Sequence, residues 1–177
     1  LEDYAKKDTR IRLYRNEENN VGSIKAIDTY VDTEYYMVLD HDDYLEPEAL
    51  ELLYTAAIKE NLDMVFGRCE MVDERGNALG EAGMRQELSC VNEVDFVQYF
   101  DVLYWQLRTQ WGKLIRKSLI QHIDMETMKK RAASGYAGDT VMILSMAFAA
   151  KRFGTVGKVL HHYRILDKSQ SRTYNRQ

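Results

Sequence analysis

The chain has 177 residues, enough for one domain with a core of its own. Apolar residues make up 45% of it and charged residues 29%, the balance of a globular protein rather than a disordered or fibrous one. A net charge of −4 lacks the basic excess of a nucleic-acid binder, so no nucleic-acid partner is expected. Cys69 and Cys90 have neither metal-ligand nor CxxC spacing. They read as free thiols of a reducing compartment, which points to the cytoplasm. No run is long and apolar enough to span a membrane: the longest apolar patch, Val141 to Ala150, is broken by Ser145.

Taken in order, residues 1–8 read as the tail of a helix, and Ile11-Arg12-Leu13-Tyr14 as a short strand. A polar turn follows at 15–20. Gly22-Ser23 opens a helix with Ile24, Ile27 and Val31 on one face. The next strand is Tyr35 to Leu39, which ends abruptly in Asp40, Asp42 and Asp43. Strand, helix and strand at this spacing predict a βαβ unit, with the second strand buried on both faces in a parallel sheet. Ligands of open α/β sheets bind beyond the carboxyl ends of the strands, where these three aspartates would stand. Two readings of them stay open. Clustered carboxylates are costly without a compensating cation, and hard cations such as Mn²⁺ and Mg²⁺ favour oxygen ligands. Equally, aspartates end strands as solvated turn residues.

Beyond the cluster, Pro47 and the acidic residues Glu46, Glu48 and Glu51 suit the start of a helix over 47–60, with Leu50, Leu53, Ala56 and Ala57 as its apolar stripe. Asp63-Met64-Val65-Phe66 predicts a buried strand running on to Val72, and Asp73 to Asn77 a hairpin turn. Residues 77–92 have no clear period and read as loop. A helix is expected over 94–103 and a strand at 111–117, then a glycine-bearing loop up to Gly138. Asp139-Thr140 starts a strong helix that stops at Gly154. Two short strands are expected around Gly157-Lys158.

Several of these segments together resemble a known family. Leu39-Asp40-His41-Asp42-Asp43 with Pro47 shortly after is similar to the D-x-D segment of family 2 glycosyltransferases of the GT-A fold. Gly22 and Ala26 match the family's Gly-x-Ser-x-Ala-Arg-Asn helix, with Ile27 and Asp28 where Arg and Asn are usual. Trp111-Gly112-Lys113-Leu114 resembles its Trp-x-Lys-Leu segment. Gly138-Asp139-Thr140 resembles the start of its base-bearing helix, with Thr140 where a second acid is usual. Leu160 to Arg164, with Ser169 and Ser171, is similar to its closing Leu-x-x-Tyr-Arg…Ser-x-Ser segment. The family's opening strand, of the type Val-Ser-Val-Ile-Ile-Pro-x-Tyr-Asn, has no counterpart here.

The resemblance implies an α/β chain with the GT-A, Rossmann-like nucleotide-diphospho-sugar transferase fold, as a single domain over 1–177 that lacks the first N-terminal strand and helix. It implies Asp40 and Asp42 as ligands of Mn²⁺ or Mg²⁺, with His162 as a further ligand. Asp28, Asp40 and Arg164 become donor contacts and Asp139 the general base. The implied reaction moves a sugar from a nucleotide-diphosphate donor, UDP in the leading reading, to a saccharide or lipid-linked acceptor, with inversion. The implied setting is polysaccharide or glycoconjugate synthesis at the inner face of the membrane, in peripheral association with it. The chain by itself would be inactive, and a second copy would cover a sheet edge in a homo-oligomer. The rival readings are a non-catalytic domain of the same fold and an aspartate-nucleophile phosphatase.

Overall fold

The computed structural model describes residues 1–15, 23–127, 130 and 138–166. The chain divides into two units, Leu1–Val31 and Asp32–Gln177. In the first, helix α1 (Glu2–Lys7) carries Glu2 and Asp3 in its first turn and Lys6 and Lys7 in its last, the arrangement that complements the helix dipole. Helix α2 (Ser23–Tyr30) buries Ile24 and Ile27, two members of the predicted stripe. Tyr14 and Tyr30 stack with ring centroids 3.6 Å apart. Ile11 to Tyr14 do not form the predicted strand; they are exposed and irregular. A strand persists only where its backbone groups are paired, and among the described residues no strand pairs with this one. The βαβ unit expected here is therefore not formed from it. Gly22 lies outside the described residues.

The second unit is built on a seven-stranded sheet. Its strands are β1 (Tyr35–Tyr36), β2 (Tyr44–Leu45), β3 (Met64–Val72), β4 (Ala78–Ala82), β5 (Leu88–Asn92), β6 (Lys113–Arg116) and β7 (Arg152–Arg164). The order is β1-β6-β3-β7-β2, with β4 added to β3 and β5 to β7. Among these ladders only β3 and β7 run parallel, so the expected parallel sheet is instead a mixed one. The β3–β4 connection shows why. Asp73 accepts hydrogen bonds from the Arg75 and Asn77 backbone N–H groups, both at 2.8 Å, and Gly76 takes a φ of +84°. A turn that tight can join only antiparallel strands.

The predicted loop at 77–92 is largely β4 and β5. Both are added at the side of the sheet and are only partly covered, so neither carries the apolar alternation of a core strand. The two strands expected around Gly157-Lys158 are one strand, β7, with a register shift at that point. Gly67 pairs with Val156 and Arg68 with Val159, which leaves Gly157 and Lys158 bulged out. A Cβ on Gly157 would come within 2.3 Å of the Arg85 carbonyl oxygen, so the bulge requires glycine. The first half of β7 then pairs with β5 and its second half with β2.

Helix α3 (Ala49–Lys59) buries Ala49, Leu53 and Ala57 at i, i+4 and i+8. They pack with Tyr35, Leu62, Val65, Leu114, Val156 and Leu160. Leu50 of the predicted stripe faces water instead; the buried stripe is mostly alanine, which lets the helix lie close to the sheet. The helix expected over 94–103 is a run of short turns, including α4 (Glu93–Phe96) and α5 (Phe100–Leu103). Asn92 caps α4, its side-chain oxygen accepting from Val94 and Asp95 N–H. Helix α6 (Gly138–Ala149) buries Met142, Ile143, Met146 and Ala147.

Candidate active site

Asp40, Asp42 and Asp43 lie in one turn, closed by the Asp43 N–H donating to the Asp40 carbonyl at 3.2 Å. On one side of it Val38 bridges Trp111 in parallel. On the other, β2 pairs with β7, Tyr44 opposite His162 and Leu45 opposite His161. Both flanks of the turn are thus held by backbone pairing, and its aspartates stand at the rim of the sheet.

The three aspartates differ in burial. The Asp43 side chain is fully buried; its Oδ1 accepts from the Arg164 backbone N–H at 2.9 Å. Its Oδ2 stands 3.2 Å from His161 Nε2, but out of line for a hydrogen bond. The His161 side chain is fully buried too, and neither of its ring nitrogens has a hydrogen-bond partner among the described residues. Asp42 is partly exposed, 3.8 Å from the solvated ring of His41. Asp40 is exposed as a residue, yet its carboxyl is held above the ordinary carboxylate range. Desolvation is the largest cause, followed by the negative charges of Asp43, Asp139 and Asp42, with His161 acting in the opposite direction.

Asp139, distant in sequence, thus acts electrostatically on the carboxylate turn. It lies exposed in the first turn of α6, where a negative charge suits the helix dipole. The Gln110 side-chain amide donates to Asp139 Oδ1, and the Thr140 hydroxyl donates to the Arg108 carbonyl at 3.3 Å. The start of α6 is therefore tied to the segment that leads into β6. In that segment Trp111 is buried, stacked on His161 at 4.5 Å and on Tyr163 at 5.1 Å between centroids. Lys113 is wholly buried, and its ammonium donates to the Thr109 and Trp111 carbonyls, each at 2.6 Å. Burial pulls the pKa of its ammonium down to about 7, against the negative charge of Asp139, which pulls it back up.

Of the other expected site residues, Arg164 meets the turn through its backbone N–H and His162 pairs opposite Tyr44 beside it. His162 follows His161 in β7 and so faces the opposite side. Its Nε2 meets Glu46 Oε1 at 2.8 Å and its Nδ1 stands 3.2 Å from Glu70 Oε2, with the Tyr44 ring stacked on it at 4.4 Å. Arg164 is partly buried; its guanidinium lies 5.7 Å from the centre of the Tyr44 ring. Asp28 is exposed on α2, in the first unit. Lys168, Ser169, Ser171, Arg172 and Arg176 lie outside the described residues, as does the glycine-bearing loop at 131–137.

Sequence reading passes over the pairing of Asp43 with His161 and over Gln110, and takes Lys113 only as part of the Trp-x-Lys-Leu segment. The structure adds that Lys113 shares a strand face with Ile115 and that both are buried. No local signal existed for Asp43 and His161, because the β2–β7 pairing that joins them spans most of the unit.

The chemistry of the turn fits a divalent cation. It offers carboxylate oxygens to a hard metal, and beside them the buried Asp43 Oδ2 has no hydrogen-bond partner among the described residues. Among the described residues no three His, Cys, Asp or Glu side chains form a complete metal cage. A site of one or two carboxylates completed by phosphate oxygens needs none.

Comparisons with known proteins show the family and the fold. The profile of Glycosyl transferase family 2 matches residues 1–132. No curated protein matches the chain. Among solved structures, residues 1–349 of S. aureus TarS align with a TM-score of 0.67 at 15% identity, covering 92% of this chain and 46% of that one. The same TarS fragment in complex with UDP aligns at 0.56 and 16% identity, covering 81% and 38%. In complex with UDP-GlcNAc it aligns at 0.58 and 13% identity, covering 86% and 39%. The chain thus spans less than half the length of the structures it matches, and shares their GT-A fold. Because the family profile covers most of its length, from the first helix past the carboxylate turn and Trp111, the chain belongs to the family 2 glycosyl transferases.

Proposed function

We propose that this chain carries the donor-diphosphate site and the acceptor base of a transferase that moves a sugar from UDP to a hydroxyl acceptor, with inversion. The observation that supports it best is that two distant stretches are joined through one segment: Trp111 bridges Val38, two residues before Asp40, and the neighbouring Gln110 donates to Asp139 at the start of α6. Solved TarS structures hold UDP and UDP-GlcNAc, which supports a UDP donor here.

In this reading Asp40 and Asp42 hold Mn²⁺ or Mg²⁺ together with diphosphate oxygens. The cation, when bound, offsets the charge that builds on the departing nucleoside diphosphate. Asp139 takes the proton of the acceptor hydroxyl. The acceptor oxygen forms its bond to the anomeric carbon as the bond to the diphosphate breaks and the electron pair leaves with the nucleotide. A single displacement of this kind inverts the anomeric centre. Trp111, buried against His161 and Tyr163, keeps the carboxylate side and the base side in fixed relation.

The acceptor in this reading is a saccharide or a lipid-linked saccharide, met at the inner face of the membrane during polysaccharide or glycoconjugate synthesis. No helix among the described residues is long and apolar enough to cross a membrane.

The test is Asp42→Ala in the full-length protein, assayed for transfer from UDP-sugars across a Mn²⁺ titration. Loss of transfer with loss of the Mn²⁺ response supports the reading. Undiminished transfer with unchanged metal dependence overturns it. Binding of UDP-sugar without turnover in the parent protein identifies a domain that kept the fold and not the chemistry.

A further inference from the structure

Lys113 is a buried amine that the reaction as written does not use. Its side chain is fully enclosed, and all of its hydrogen bonds go to one short segment: the Thr109 carbonyl at 2.6 Å, the Thr109 hydroxyl at 3.4 Å and the Trp111 carbonyl at 2.6 Å. Burying an ammonium is costly, and removing one partner of such a buried group leaves the others unsatisfied. Gly112, at a φ of +75°, turns the chain between Trp111 and Lys113. The segment is also fastened to β3, where the Gln106 amide donates to the Gly67 carbonyl and the Gly67 N–H donates to the Gly112 carbonyl at 3.1 Å.

What this segment holds is the start of α6. Gln110 donates to Asp139, and Arg108 accepts from Thr140. Asp139 is exposed, and a solvated carboxylate has no fixed orientation of its own; Gln110 holds one of its oxygens, leaving the other to meet an acceptor. The charged group that acts on Lys113 is Asp139.

We propose that the segment from Thr109 to Lys113 is a positioning device for the acceptor base, with Lys113 fixing the backbone and Gln110 aiming the Asp139 carboxylate. Neither residue touches reacting atoms; both act through Asp139. The proposal rests on the reading of Asp139 as the base.

The experiment measures kcat and donor KM of the full-length protein for Gln110→Ala, Lys113→Met, Asp139→Asn and the double variant Lys113→Met with Asp139→Asn. Gln110→Ala and Lys113→Met are expected to lower kcat by about tenfold or more while donor KM stays within about twofold, the signature of a misplaced catalytic group. Lys113→Met is not expected to slow the Asp139→Asn enzyme further, because both act through one carboxylate. If Asp139→Asn is slow but Gln110→Ala and Lys113→Met run at the parent rate, the positioning role is overturned and the base assignment survives. If Asp139→Asn runs at the parent rate, the base assignment itself fails. A rise in donor KM matching the loss of kcat overturns the proposal as well, since it places the segment on the donor side. Should Lys113→Met fail to fold, Gln110→Ala decides alone, because Gln110 is only partly buried and a small side chain is tolerated there.

Discussion

His161 and His162 are neighbours on β7, and both are buried, yet their surroundings differ. The ring of His162 hydrogen-bonds Glu46 through Nε2, stands 3.2 Å from Glu70 through Nδ1, and lies flat against Tyr44. The ring of His161 lies beside Asp43 and stacks on Trp111, with no hydrogen bond at either nitrogen among the described residues. One side of the strand uses its polar capacity to hold elements together. The other leaves both ring nitrogens of His161 and Asp43 Oδ2 without a hydrogen-bond partner among the described residues, where His162 leaves only Nδ1 so. Buried polar groups in stable structures are paired, so a cluster of unpaired ones marks where a fold is completed by something it binds. In the proposed reading the side of His161 belongs to the site and the side of His162 to the scaffold.

The sharpest way to break this contrast is Asp42→Ala, which removes a ligand from the proposed site. Transfer is expected to fall about a thousandfold, the several kcal/mol that a Lewis-acid cation supplies. Steady-state assays with UDP-sugars measure it. The paired test on the histidines is gentler. His161→Gln is expected to weaken Mn²⁺–UDP binding about tenfold, because its ring packs beside Asp43 in the turn that carries Asp40 and Asp42. His162→Gln is expected to cost roughly 1–2 kcal/mol of stability through its lost carboxylate contacts while leaving metal binding intact. Calorimetric titration and thermal unfolding of both variants decide it; equal effects on both quantities would dissolve the distinction between the two sides.

The smallest effect expected is on pH dependence. The folded state holds the Asp40 carboxyl above its ordinary range, so between that range and the raised value the folded chain binds more protons than the unfolded one. The charged cluster therefore costs stability above this window, and the cost is relieved as pH falls through it. A bound cation competes with those protons. Its stabilisation is expected in full above the raised value and to fade as pH drops below it, which thermal unfolding with and without Mn²⁺ across pH 4 to 7 would show. A metal effect of the same size at both ends of that range would mean that Asp40 takes no part.

Much of the frame was legible from local patterns. The apolar run from Tyr35 that stops at Asp40 announced the turn, the helical spacing of Leu53 with Ala57 announced α3, and Asp139-Thr140 ahead of an apolar run announced α6, which buries Met142, Ile143, Met146 and Ala147. Asp40, Asp42 and Asp139 were visible because acids at the end of an apolar strand, or at the start of an apolar helix, stand out against their neighbours. What stayed hidden depends on long-range pairing. Strand β2 is two residues held in place by β7, and nothing in Tyr44-Leu45 says which histidine it will face. Strands β4 and β5 are too exposed to show alternation. The helix expected over 94–103 is a run of short turns, in which Val94 and Val97 face water and so give a continuous helix no apolar face to bury.

The most direct measurement is anomalous diffraction from crystals of the full-length protein soaked with Mn²⁺ and UDP. A manganese peak ligated by carboxylate oxygens of Asp40 and Asp42 and by the diphosphate is the predicted result. Ordered UDP with no ion at those oxygens, or a peak at Glu46 and His162 instead, would contradict it.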